Sequence, residues 1–302
     1  MNTDRLLEAR DFLEDLADNP PTLPYEPTLL PFLFAATRDG SDATIDDLAT
    51  LIEHSQKLAS KVLTVANSAV YARESKVTSV HRAVSILGFH EVRNIVVTVT
   101  AVSAIKGAKL PRQFNSIGLW RHQVRSAVMA RILAAAVMDW NNRNGPYLGD
   151  SLSIAPDEAY AAALLHDIGK VFLASLRPSI WADIEELREQ KGIELYQAED
   201  EYWSMDHALI GAQVLHYWKL PLLLTDAINW HHAPHMAPAF KPEAHLLSAA
   251  DLLAHKGLAS DGALPEAVLR LLPPGLDGVA VGQYIHEALS PKAEDALAGL
   301  MD

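Results

Sequence analysis

The run ALLHDIGK, residues 163–170, sets His166 and Asp167 side by side at the end of an apolar helical stretch, with Lys170 one turn on. Side chains of the same chemistry recur through the same half of the chain. They are His122 in LWRHQVRSA, His207 in MDHALIG, the doublet His231–His232 after LLLTDAINW, and Asp251 in LLSAADLLAHK. Imidazole nitrogens and carboxylate oxygens without sulfur suit Fe, Mn, Zn or Ni, and argue against copper–thiolate or iron–sulfur chemistry. Neighbours on a helix point roughly 100° apart, so each doublet can send one ligand to either of two ions. Two doublets on different helices are what a dinuclear centre could use. Asp167 would bridge metals about 3.5–4 Å apart, an arrangement that activates water for phosphoester hydrolysis. Lys170 would neutralise a phosphate oxygen. Asp251 stands on an apolar stripe between Leu247 and Ala254, where an unpaired carboxylate is costly to bury; a metal or a paired histidine would satisfy it. The other reading of these residues is that they merely pair with one another.

The remaining eight histidines, at 54, 81, 90, 216, 235, 245, 255 and 286, read as packed or surface residues, the ordinary fate of a lone His on a helix.

Helical patterning surrounds the candidates. Residues 44–55 open at a Thr or Ser cap with Ile45, Leu48, Leu51 and Ile52 on one face, and 57–71 repeat the pattern. Residues 78–88 start at a cap and stop at Gly88. HEVRNIVVTVTAVSAI, 90–105, is β-branched enough for a strand, but its length and helical flanks predict a buried helix. GAKLPRQF, 107–114, is a turn and a boundary. Further helices are expected at 116–140, 157–170, 179–190, 193–203, 207–218, 221–232 and 243–256. A polar loop lies at 141–151, and the interrupted tail, 257–302, ends in an acidic helix. No alternating strand pattern and no repeat is present. The fold class is all-α, with lobes at 1–115 and 116–256 and a tail at 257–302. Asn67 and Ser68, in VANSAVY, read as helix terminators, since both compete for backbone hydrogen bonds.

Bulk properties narrow the function. The chain of 302 residues has a net charge of −13, which repels a phosphate backbone and argues against nucleic acid. It has no cysteine, which removes disulfides, thiolate zinc sites and Cys nucleophiles and fits a reducing cytoplasm. The N-terminus is acidic and amphipathic without a signal core. The strongest charge-free apolar stretch, 95–105, is too short to cross a membrane. A cytoplasmic protein without a membrane segment is expected.

The order His122, then His166-Asp167 with Lys170, then His207, His231-His232 and Asp251 resembles the HD superfamily of metal-dependent phosphohydrolases. HDIGK looks like the HD-GYP branch, whose members hydrolyse cyclic diguanylate. LPYEPTLLPFLFAATRDGS and VLTVANSAVY…VTSVHRAVSILG (62–88) resemble the HDOD domain, an HD-related output domain of bacterial signalling. Together the likeness covers roughly residues 20–256. It implies an N-terminal HDOD-type helical lobe packed on an HD-type metal-binding lobe, with two metal ions, Fe or Mn before Zn or Ni. Two departures stand out: HHAPHMAPAF (231–240) lacks the Gly-Tyr-Pro loop, and Gly118 replaces the Glu of trinuclear members. They argue against a third metal and against cyclic dinucleotide recognition.

The main expectation is therefore a signalling output module with a dinuclear centre that docks a partner protein. The alternative is an active phosphohydrolase acting on a phosphoester or cyclic dinucleotide.

Overall fold

The computed structural model describes residues 3–23, 25–38, 40–68, 71 and 76–289. The acidic helix expected at the end of the tail lies outside them from residue 290 onward. Among the described residues the chain is helical throughout, the sole extended feature being an isolated bridge between Tyr147 and Asp150.

The N-terminal part folds as α1 (Thr3–Asp18), α2 (Leu29–Ala36), α3 (Ile45–Glu53), α4 (Gln56–Ala66) and α5 (Val80–Gly107). Thr44 and Asp47 form a reciprocal capping box at the start of α3, and Ser55 caps α4. The β-branched run from residue 90 is a buried helix, as its length implies. Its Val92, Val96 and Val97 are fully covered. Gly88 does not end the helix but kinks it, with φ 75° and ψ 168°, so residues 80–107 form one bent rod. Asn67 is the C-cap of α4. Its amide donates to Leu63 O and Val77 O and its oxygen accepts from Val77 N, all at 2.8 Å, which ties the end of α4 to the segment just before α5.

Next come α6 (Ser116–Asn144), α7 (Pro156–Leu165), α8 (Ile168–Leu176), α9 (Pro178–Lys191), α10 (Leu195–Trp203), α11 (His207–Tyr217), α12 (Leu222–Asn229) and α13 (Lys241–Lys256). Two short helices close the described chain, α14 (Glu266–Leu269) and α15 (Gly278–Ala288). The helix expected over 157–170 is broken. Residues 166–167 form a turn between α7 and α8, with Asp167 at φ −96° and ψ 7°. The expected 221–232 helix likewise ends at Asn229, leaving both histidines of the second doublet in the turn beyond it.

One continuous apolar core runs from Ala9 to Ile285, and α5 packs on α7 and α8 within it. Arg93 of α5, fully buried, hydrogen-bonds Thr37 Oγ1 and lies 3.9 Å from Glu158 near the start of α7. A covered guanidinium is costly to bury, and such a carboxylate offsets part of that cost. The stretch Pro156–Leu176 is long and apolar enough to cross a membrane by length and composition, but 78% of its most apolar window is buried inside the protein, the pattern of a core helix.

Candidate metal centre

Six backbone segments deliver the site: the second turn of α6 (His122), the α7–α8 turn (His166, Asp167), the start of α8 (Lys170), the start of α11 (His207), the turn after α12 (His231, His232) and the middle of α13 (Asp251). All seven candidate ligands converge. Their donor atoms form overlapping triplets, each within 4.8 Å: His122, His166 and Asp167; His166, His231 and Asp251; His207, His231 and His232.

The individual spacings are those of a coordination sphere. His122 Nε2 is 2.9 Å from Asp251 Oδ1, 3.6 Å from Asp167 Oδ2 and 3.3 Å from His166 Nε2. His207 Nε2 is 3.0 Å from Asp167 Oδ1 and 2.9 Å from His232 Nε2. A metal holding N and O ligands at about 2.0–2.2 Å separates adjacent ligand atoms by roughly 3–3.5 Å.

Three imidazoles are locked from behind. His166 Nδ1 donates to Ala163 O at 2.7 Å, and His231 Nδ1 donates to Ile228 O at 2.6 Å. Both acceptors lie three residues back, in the last turn of a helix, where carbonyls lack the usual i+4 partner. A carbonyl can only accept, so the proton sits on Nδ1 and Nε2 is turned inward. His207 Nδ1 instead meets Glu199 Oε2 at 2.6 Å, an oxygen that also accepts the His207 main-chain N–H at 2.9 Å. Inside the cluster, His231 Nε2 is buried and has no hydrogen-bond partner, and Asp167 Oδ1 is buried with His207 Nε2 3.0 Å away. A buried acceptor left without a donor is expensive, and a cation would satisfy His231 Nε2. The donor set fits Fe, Mn, Zn or Ni.

Charge follows the same arrangement. Burial alone would raise the Asp167 carboxyl, yet His166, Lys170 and His207 hold it well below the usual range. Burial likewise opposes ionisation of Asp251, but His122 and His166 hold that carboxyl well below its usual range too. Burial and the neighbouring His166 push His231 down to about 3. Burial and His231 carry His232 well below its ordinary value. His207 goes the other way: burial opposes its charge, but Glu199 and Asp167 lift it to about 9. Lys170 Nζ binds Asp167 Oδ2 at 2.6 Å, so the ammonium expected to steady a phosphate is anchored to a ligand.

A cleft of about 560 Å3 opens onto His122, Asp167 and Lys170. His255 lines it too. The sequence reads it as an ordinary packed or surface histidine; the structure places it on the surface, at the rim of the ligand cluster with His122 and Asp251. Its Nε2 is 3.4 Å from Asp251 Oδ1 and its ring is 4.2 Å from that of His122, with 58% of the side chain exposed. Its i,i+4 spacing from Asp251 is the signal that locates it on the same face. Glu199, buried at 1% exposure behind His207, carries no comparable mark in the sequence. Tyr196 stacks on His232 at 4.2 Å between centroids and 10° between planes.

The HDOD domain family profile matches residues 23–234. The chain belongs to the HDOD family. An HDOD domain protein of unknown function from Geobacter sulfurreducens shares the fold with a TM-score of 0.74, 24% identity and 98% coverage of each chain. A protein from Shewanella amazonensis, provisionally named a phosphohydrolase, superposes with a TM-score of 0.73 at 21% identity, covering 96% of this chain and 98% of its own. An uncharacterized protein of Treponema pallidum (strain Nichols) is 25% identical over 205 residues, 68% of this chain. The match covers only 37% of that relative's length. The HDOD assignment and the all-helical fold agree with the resemblance read from residues 20–256.

Proposed function

We propose that this HDOD protein is a signalling module whose HD-type half holds two metal ions at the base of the cleft, where a phosphoester binds. The observation that carries this reading is the buried, unpartnered His231 Nε2, set among the converging donor atoms of His166 and Asp251 and of His207 and His232. His122, His166 and Asp251 would hold one ion and His207, His231 and His232 the other, with Asp167 between the two groups. When bound, such a pair supplies Lewis acidity and positive charge to a phosphoryl group. Fe or Mn is the expected identity.

The protein's own groups complete the site. Lys170 stays charged because burial, which opposes the ammonium, is outweighed by Asp167 beside it. It presents that charge to the cleft while keeping Asp167 Oδ2 fixed. Glu199 fixes the imidazole of His207. A regulatory role follows from the number of segments joined: a change of occupancy at the centre reaches α6, α8, α11, α12 and α13 at once. Residues 1–115 would then present the surface for a partner protein. The net charge of −13 argues against nucleic acid as that partner.

A second reading, turnover of the phosphoester, is favoured by the opening of the cleft directly onto Asp167 and Lys170. Elemental analysis of purified protein tests the first reading, with Asp167→Ala as the control. Two Fe or Mn per chain, lost in the variant, is the expected result; full metal content in Asp167→Ala would overturn the assignment. A panel of phosphoesters that includes cyclic diguanylate then separates binding from hydrolysis.

A further inference from the structure

The cleft beside the metal centre is electrically lopsided. One part of its lining is His122, Asp167, Lys170 and His255. Asp167, 1% exposed as a side chain, lies 2.6 Å from Lys170 Nζ and 3.0 Å from His207 Nε2. The rest is a wall mainly from α9 and the segment before α6. Glu185, Glu186 and Glu189 line it, against the single guanidinium of Arg188, which leaves two net negative charges. That guanidinium is committed to Glu185 at 2.8 Å. Phe114 and Trp181 belong to the same part of the lining, their ring centroids 5.2 Å apart with planes tilted by 50°.

We propose that this cleft takes a small zwitterionic phosphoester, its phosphate at the Lys170 end and an ammonium group at the Phe114–Trp181–glutamate end. Aromatic faces and carboxylates together are the environment that recognises an organic ammonium. The same wall repels a second anion. A cyclic dinucleotide, with two phosphates, would bring its second charge against Glu186 and Glu189, so a ligand with a single phosphate is selected. The inference rests on the reading of the cleft as a phosphoester site and adds the class of ligand.

The test uses metal-loaded full-length protein and two phosphonates of equal length that cannot be hydrolysed as esters. 2-Aminoethylphosphonate ends in an ammonium, and propylphosphonate ends in a methyl group. Titration calorimetry should show the amine binding roughly tenfold or more tightly, the preference that a partly desolvated ammonium–aromatic contact supplies. In Glu186→Gln/Glu189→Gln, both positions exposed and outside the core, the preference should fall to about twofold or less. The affinity for propylphosphonate should hold or improve as repulsion is relieved. Equal binding of the two by wild-type protein, or an undiminished preference in the variant, overturns the proposal. Binding without preference removes the ammonium assignment alone. No binding of either phosphonate removes the phosphoester reading and the proposal with it.

Discussion

Gly169 lies so close to His207 that a Cβ placed on it would stand 2.0 Å from the His207 carbonyl oxygen and 2.8 Å from the Gly211 nitrogen. This contact sets the approach of α8 to α11, and with it the 3.0 Å separation of Asp167 Oδ1 and His207 Nε2. The glycine of HDIGK is therefore a spacing device, whereas a side chain there would push the two ligand-bearing helices apart.

Gly169→Ala is expected to destabilise the fold by about 1–3 kcal/mol, the usual cost of forcing an atom into packed structure. Metal content should fall with it. Gly211→Ala should be milder, because its Cβ meets Gly169 N at 3.2 Å and otherwise only ordinary contacts. Thermal melts of the two metal-free variants give the comparison. Equal losses, or a larger one at Gly211, would show that the crossing is not set at Gly169.

Glu199→Gln keeps an oxygen able to accept from His207 Nδ1 but removes the negative charge. Groups behind a ligating histidine set its orientation and basicity, and their loss costs about 10–100-fold in metal affinity. Equilibrium dialysis against buffered Mn or Fe should show a drop of that size, with the far-UV circular dichroism of the metal-free form unchanged. Wild-type affinity in the variant would mean that packing against His231 and His232 orients His207 by itself.

How far these features could be read beforehand depended on whether the signal is local. The ligands were legible because His-Asp and His-His doublets are conspicuous at the ends of apolar runs. The long helix over 90–105 was legible because its apolar length outweighs its β-branched residues. Glu199 was not, since its role depends on α10 folding back against the start of α11, and nothing in LYQAEDEYW distinguishes it from the acidic residues beside it. The break at 166–167 was hidden for a related reason. DEAYAAALLHDIGK has continuous helical periodicity, and Asp167 leaves the helix where tertiary contacts with His122 and His207 outweigh local propensity. Gly169 was visible as a glycine, but only the crossing with α11 shows what it makes room for.

Protons and metal compete for the same nitrogens. The ordinary imidazole value of 6.5 is raised to about 9 at His207, where burial is outweighed by Glu199 and Asp167. In His166, Asp167 and Asp251 outweigh burial and raise it as well. A raised folded-state value stabilises the metal-free fold below pH 6.5, and that contribution is lost as pH rises through about 9. Metal binding must displace these protons, so affinity should climb between pH 6.5 and 9. His231, held neutral down to about 3, adds no competition in that window. Calorimetry in buffers of different ionisation enthalpy should show protons released on Mn binding at pH 7. A pH-independent affinity with no release would place the metal on other groups.

Chelation should act most strongly on the turns that carry the ligands. The turn after α12 holds His231 by its Nδ1 and main-chain N–H, both on Ile228 O, and leaves its Nε2 without a hydrogen-bond partner. Without a cation, that buried acceptor favours local opening, since water could then reach it. A metal present at a hundred times its dissociation constant adds about 2.7 kcal/mol to stability, so removing it should lower Tm by several degrees. Hydrogen exchange should rise first around residues 229–236 and 165–170, while α3 and α4, far from the ligands in the chain and packed on α5, stay protected. Loss of protection spread evenly over α3, α4 and α11 would mean that the metal supports the whole core rather than this junction. An unchanged melt would mean that the cluster closes by itself.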